Sequence, residues 1–194
     1  MIPPRAPTTL LLAALAGCAS SPPPRFYTLE GPPLATPTRA DPARLRLSVG
    51  PVSVPDSVDR EEIVLRTGGN RLELSDLHRW AEPLPAAIAR VLAADLGRAL
   101  GTPWAGVRGQ WTGGEPDLRV AVDVLRFDSA LGQAATVEAA WEVRRKDGGP
   151  ALQGRTLARE PTAGESYDAL AAAHARALAR IARDIAAAIR RDGG

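Results

Sequence analysis

The sequence predicts an α/β fold, a single domain in which a mixed, largely antiparallel sheet has two main helices packed on it. Three observations predict it. Several segments alternate polar and apolar residues with period two, which marks half-buried strands. Two stretches, 84–100 and 166–190, repeat apolar residues at three- and four-residue spacing, which marks amphipathic helices. Three of the alternating segments follow one another between short glycine-containing turns, the pattern of an antiparallel meander.

The chain opens on a segment outside that domain. Leu10-Leu11-Leu12-Ala13-Ala14-Leu15 is too short to span a bilayer, which takes roughly 20 apolar residues. It has the length of a signal-peptide core. Leu15-Ala16-Gly17-Cys18 follows, and Cys18 is the only cysteine. Leucine, two small residues and cysteine in this order resemble a bacterial lipobox, which implies lipidation of Cys18 and cleavage before it. Residues 1–17 are then a lipoprotein signal peptide, 18–25 a lipidated tether and 26–194 the domain. Ser20-Ser21-Pro22-Pro23-Pro24 favours extended polyproline II. At about 3.1 Å per residue, Ala19 to Arg25 reaches some 20 Å, so the domain stays near its membrane.

Composition narrows the function. Lys+Arg is 24 and Asp+Glu 22, and loss of Arg5 with the leader leaves 23 against 22. A phosphate-tracking surface needs a larger basic excess, so no nucleic-acid partner is expected. Cys18 leaves no thiol for a disulfide, and two histidines do not supply a histidine-rich metal site. No cofactor is expected.

Along the domain, Phe26-Tyr27-Thr28-Leu29 is a short strand ended by Gly31-Pro32-Pro33. A proline-rich loop runs to Pro42. Arg44 to Val49 alternates, with Leu45, Leu47 and Val49 facing inward, and stops at Gly50-Pro51. Val52 to Pro55 continues extended, with Pro55 at a strand end or edge. Glu62–Arg66 and Arg71–Leu74 flank Thr67-Gly68-Gly69-Asn70 as a hairpin, and without a following helix the glycine pair is a turn, not a phosphate cradle. Ser75 to Glu82 reads as a link to the first helix. That helix buries Leu84, Ile88, Val91, Leu92, Leu96 and Leu100, takes Pro83 and Pro85 in its first turn and ends at Gly101. Trp80 plugs the gap between helix and sheet. Gly101 to Pro116 is a loop with a brief strand near Trp104 to Val107. The meander follows over 117–128, 135–143 and 151–159, and a helix from Ser166 to Arg190 closes the chain.

Catalytic signatures are missing. No nucleotide-binding fingerprint, P-loop or His-Glu-x-x-His motif is present. Ser75, Asp76 and His78 are hydrolase residue types, but neighbours in one extended segment do not converge as a triad does. His174 falls on the apolar stripe of the last helix, where a core histidine is expected. The arginine-rich outer face of that helix is interrupted by Asp168 and Asp184, as on a solvated surface. No enzymatic activity is expected.

Several motifs in order carry a resemblance: Tyr27-Thr28-Leu29, Val49-Gly50-Pro51-Val52-Ser53-Val54-Pro55, Asp59-Arg60 leading into Ile63-Val64-Leu65-Arg66, and His78-Arg79-Trp80-Ala81-Glu82-Pro83-Leu84. From Phe26 onward the chain resembles the PqiC-like family of ABC-type transport auxiliary lipoproteins. The Gly- and Trp-rich loop from Gly101 to Pro116 departs from the family pattern. The resemblance implies a small α/β domain that accompanies a transporter with an MCE-domain periplasmic subunit and serves lipid traffic between two membranes. Ala19 after the cysteine, in place of aspartate, implies anchoring in the inner leaflet of the outer membrane. The implied role is a docking adaptor, with Tyr27, Pro55, Asp59, Arg60, Arg66 and Trp80 as candidate partner contacts. A homo-oligomer matched to a symmetric partner is compatible with that role. The alternative is a lipoprotein regulator of a cell-wall synthase.

Overall fold

Strand β6, Leu118–Ala130, is where the other strands converge. The computed structural model describes residues 22–30, 45–110 and 114–192. Cys18, the leader and the proline-rich loop before Pro42 therefore lie outside the described residues. Along one edge β6 pairs antiparallel with β7, Ala134–Arg145, over its full length. Strand β8, Leu152–Pro161, pairs antiparallel with β7 and completes the expected meander.

The other edge of β6 is divided. Its first half takes β2, Leu47–Ser53, in parallel, and its end takes β3, Glu62–Gly68, through one pairing, Leu65 with Ser129. Beyond β2 lies β5, Ala105–Val107. Beyond β3 lie β4, Arg71–Trp80, and β1, Arg25–Tyr27. Among the described residues the sheet has eight strands, forked on one side of β6. The long ladders are antiparallel and the parallel pairings are shorter, so the sheet is mixed as expected.

Three boundaries differ from expectation. Strand β4 continues through Ser75 to Trp80, a stretch whose polar residues read as a link. Pairing with β3 on one side and β1 on the other holds it extended. Strand β2 does not stop at Gly50-Pro51 but runs to Ser53, and a register shift between Val49 and Val52 accommodates the proline and its cis bond. Strand β1 ends at Tyr27, two residues early, although Leu29 is fully buried.

Helix α1, Leu84–Leu100, starts at Pro83 and ends where Gly101 takes a left-handed φ of 69°, from which its amide reaches the Arg98 carbonyl. Helix α2 is Tyr167–Asp192, with Ser166 Oγ accepting from the Ala169 amide at 3.1 Å as a cap. Both helices lie on one face of the sheet. Leu47, Val120 and Val122 meet Leu92, Leu178 and Ile185 in one core. Each such side chain contributes about 1.5–3 kcal/mol on burial. Trp141 of β7 stands over its register partner Gly154, where a Cβ would come within 2.2 Å of the indole. Its Nε1 donates to Thr156 Oγ1 at 3.3 Å, and that hydroxyl donates to Asp184 of α2 at 3.1 Å. The opposite face of the sheet carries no helix among the described residues. Arg119, Ala121, Ala140, Glu142 and Arg144 occupy the alternate positions of β6 and β7 that turn toward it.

Candidate functional site

Chemistry-bearing side chains gather in three places. The first is sealed. His174 is fully buried, its ring stacked on Phe127 at 4.0 Å and edge-on to Trp80 at 6.1 Å. Its Nε2 lies 2.8 Å from Ser129 Oγ, while Nδ1 has no partner. Burial lowers its pKa to about 3, against a weaker raising influence from Asp128, so the ring is neutral at ordinary pH. Asp128, Ser129 and His174 are the residue types of a hydrolase triad. Asp128 and Ser129 are neighbours in one strand, however, and point to opposite faces. With Ser129 only 2% exposed, a substrate has no path to the pair. Trp80, proposed as a partner contact, belongs to this interior. It fills the gap between helix and sheet and is only 5% exposed.

The second place is beside β1. The Tyr27 hydroxyl lies 2.7 Å from His78 Nδ1, and the His78 ring stacks on Tyr167 at 3.7 Å. Ser75 Oγ lies 3.0 Å from the Tyr167 hydroxyl. Among the described residues no hydrogen bond joins Ser75 or Asp76 to His78. Desolvation and the nearby Arg25 charge lower the His78 pKa, and desolvation followed by the charge of Asp168 raises that of Tyr27. The cluster fastens β1 and β4 to the first turn of α2, so Tyr27 is a brace for β1.

The third place is the helix-free face. Arg66 reaches Asp128 at 2.8 Å, and Arg126 also pairs with Asp128. Pro55, Arg66, Leu72 and Leu125 line a small hollow of about 120 Å³ here. Asp59 and Arg60 are exposed on the adjoining turn, where the Val58 and Asp59 amides reach the Pro55 carbonyl. No ion pair joins Asp59 to Arg60 among the described residues. Toward the start of β6 a shallow depression of about 620 Å³ is floored by Pro51, Ala121 and Ala140. It runs on, through Pro51, Ala121 and Glu142, into a hollow of about 720 Å³ walled by Arg108, Arg119 and Arg144. Of the residues that the sequence offered as partner contacts, Pro55 and Arg66 lie on this face, whereas Asp128, Leu125 and the three arginines were not among them. Period-two alternation placed β6 and β7 residues outward without saying that they adjoin one another.

Among the described residues no group of three or more His, Cys, Asp or Glu is placed to hold a metal ion, and no helix is long and apolar enough to cross a membrane. Two solved structures share the fold. One, an uncharacterized protein, is 22% identical with TM-score 0.68, covering 87% of this chain and 99% of its own. The other, a Xanthomonas campestris protein of the DUF330 family, is 20% identical with TM-score 0.64 and the same coverage, 87% and 99%. No curated protein matches significantly. The family model for the ABC-type transport auxiliary lipoprotein component matches residues 27–186, from the last residue of β1 into the last turns of α2. This chain therefore belongs to the ABC-type transport auxiliary lipoprotein family.

Proposed function

We propose that the chain is the outer-membrane lipoprotein of an MCE-type ABC transport system for intermembrane lipid traffic and envelope integrity. It acts there as a non-catalytic docking adaptor for the periplasmic MCE subunit. The observation that carries this reading is the family match beginning nine residues after Cys18. Three further features support it. The chemistry-bearing side chains of the interior are sealed from substrate, one face of the sheet is left without a helix, and a short tether keeps the domain at its membrane. Acyl chains on Cys18 contribute about 0.8 kcal/mol per buried CH₂, and two chains suffice for stable anchoring.

The test is recovery of the complex. Full-length tagged protein, solubilised from membranes in mild detergent, is expected to bring down an MCE-domain subunit. Recovery of a cell-wall synthase with no MCE protein would instead establish the regulator reading.

A further inference from the structure

Helix α2 gives the molecule a direction. Its first residue, Tyr167, touches Tyr27 just after the tether, with ring centroids 5.7 Å apart. Its last, Asp192, accepts from Arg145 at 2.6 Å, and Arg145 is paired across the sheet with Leu118 at the start of β6. Twenty-six residues at about 1.5 Å each separate these ends by some 38 Å. The hollow walled by Arg108, Arg119 and Arg144 lies at the start of β6, so it sits at the end remote from the tether.

That end is basic. Arg119 pairs with Glu115 at 3.1 Å, and Lys146 shares the same carboxylate at 3.0 Å. Arg144 pairs with Glu142. Three arginines thus line the hollow against one carboxylate, Glu142, and the guanidinium of Arg108 has no ion pair among the described residues. The Arg119 and Arg144 side chains are 56% and 71% exposed, so their pairs are worth about 0–1 kcal/mol and exchange readily for another carboxylate. Beside them Pro51, Ala121 and Ala140 form an apolar floor, recessed because two of the three are alanines and rimmed by Ser53, Asp123, Glu142 and Arg155. Nothing in the described chain covers it.

We propose that this end of the helix-free face docks an acidic protein segment, its carboxylates on Arg108, Arg119 and Arg144 and an apolar side chain in the trough over Ala121 and Ala140. The proposal deepens the adaptor reading: the tether draws the opposite end to the membrane, leaving this one toward a partner that arrives from the periplasm. Cationic walls speed the encounter with such a segment, and the trough holds it once docked.

The experiment has two arms on the full-length protein in detergent micelles. In the first, Arg108→Glu/Arg119→Glu/Arg144→Glu is compared with wild type for recovery of the MCE-domain subunit, with Arg180→Glu on α2 as a control. Recovery is expected to fall about tenfold or more in the triple variant and to hold in the control, with unchanged thermal unfolding of both. Undiminished recovery by the triple variant overturns the inference and leaves the adaptor reading intact. The second arm needs no partner. A fluorescent peptide of glutamates interspersed with leucines is expected to bind about tenfold tighter than its lysine counterpart, and to lose that margin in the triple variant. Equal binding of the two peptides overturns the inference even where the MCE subunit is never recovered. Displacement of the acidic peptide by phosphatidylglycerol vesicles, or photo-crosslinks from position 108 only to a second copy of the chain, overturns it in favour of lipid or self-association.

Discussion

At the scale of single residues, His174 ties stability to acidity. Its pKa in the fold is about 3 against an ordinary 6.5, so the unfolded chain takes the proton first. The stabilisation is complete above about pH 6.5 and is lost as pH falls from there toward 3. Between pH 7 and pH 5 this group alone costs about 2 kcal/mol. Guanidinium unfolding of His174→Gln, which keeps a partner for Ser129, is expected to show a flatter pH dependence than wild type over that interval. Gly154 carries a steric prediction. A methyl there meets the Trp141 indole at 2.2 Å, so Gly154→Ala is expected to destabilise by about 1–3 kcal/mol, read as a lower thermal midpoint. The buried histidine was legible in the sequence, because position 174 falls on the stripe of Leu170, Leu178 and Ile181 in an unbroken helical pattern. The Gly154–Trp141 fit was not, since it depends on strand register, which period-two alternation leaves open.

At the scale of elements, the fork beside β6 is the feature to probe. Strand β3 meets β6 by a single pairing, Leu65 with Ser129, and the ion pair from Arg66 to Asp128 at 2.8 Å spans the same junction. The Asp128 side chain is 10% exposed, so removing one cation leaves a nearly buried carboxylate on Arg126 alone. Arg66→Ala is expected to cost about 1–2 kcal/mol, measured as a lower urea midpoint, with faster hydrogen exchange in β3 than in β7. Arg66 thus holds the sheet together whatever else it touches. The hairpin, the meander and both helices were legible because each rests on local periodicity or a local turn. The extended course of β2 beyond Pro51 was legible but not its pairing as one strand, and the continuation of β4 through His78 was not legible. Both are held extended by strands that are distant in sequence and overrule a local proline or a polar run. The junction of β3 with β6 has no sequence signal of its own.

As a whole, the molecule is proposed to have two ends, one tied to a membrane through Cys18 and one presenting arginines and a recessed apolar floor. The proposed first end rests on the lipobox-like Leu15-Ala16-Gly17-Cys18. The second became visible only when β6 and β7 brought Arg119 and Arg144 beside Arg108, which comes from a different loop. Exposed residues of the helix-free face should then change partner recovery and leave stability nearly untouched. Leu157, 60% exposed on β8, is expected to tolerate Leu157→Ser within about 0.5 kcal/mol of wild type in a chemical unfolding curve.

Whether the domain is held at a membrane by its first mature residue decides the rest, and intact-mass spectrometry of protein taken from separated envelope fractions reads it directly. The account predicts a chain beginning at Cys18, heavier than its sequence by the mass of its acyl groups, in the outer-membrane fraction, and a Cys18→Ala form free in the periplasm. A wild-type chain with an unmodified Cys18 thiol, recovered in the soluble fraction, would contradict it.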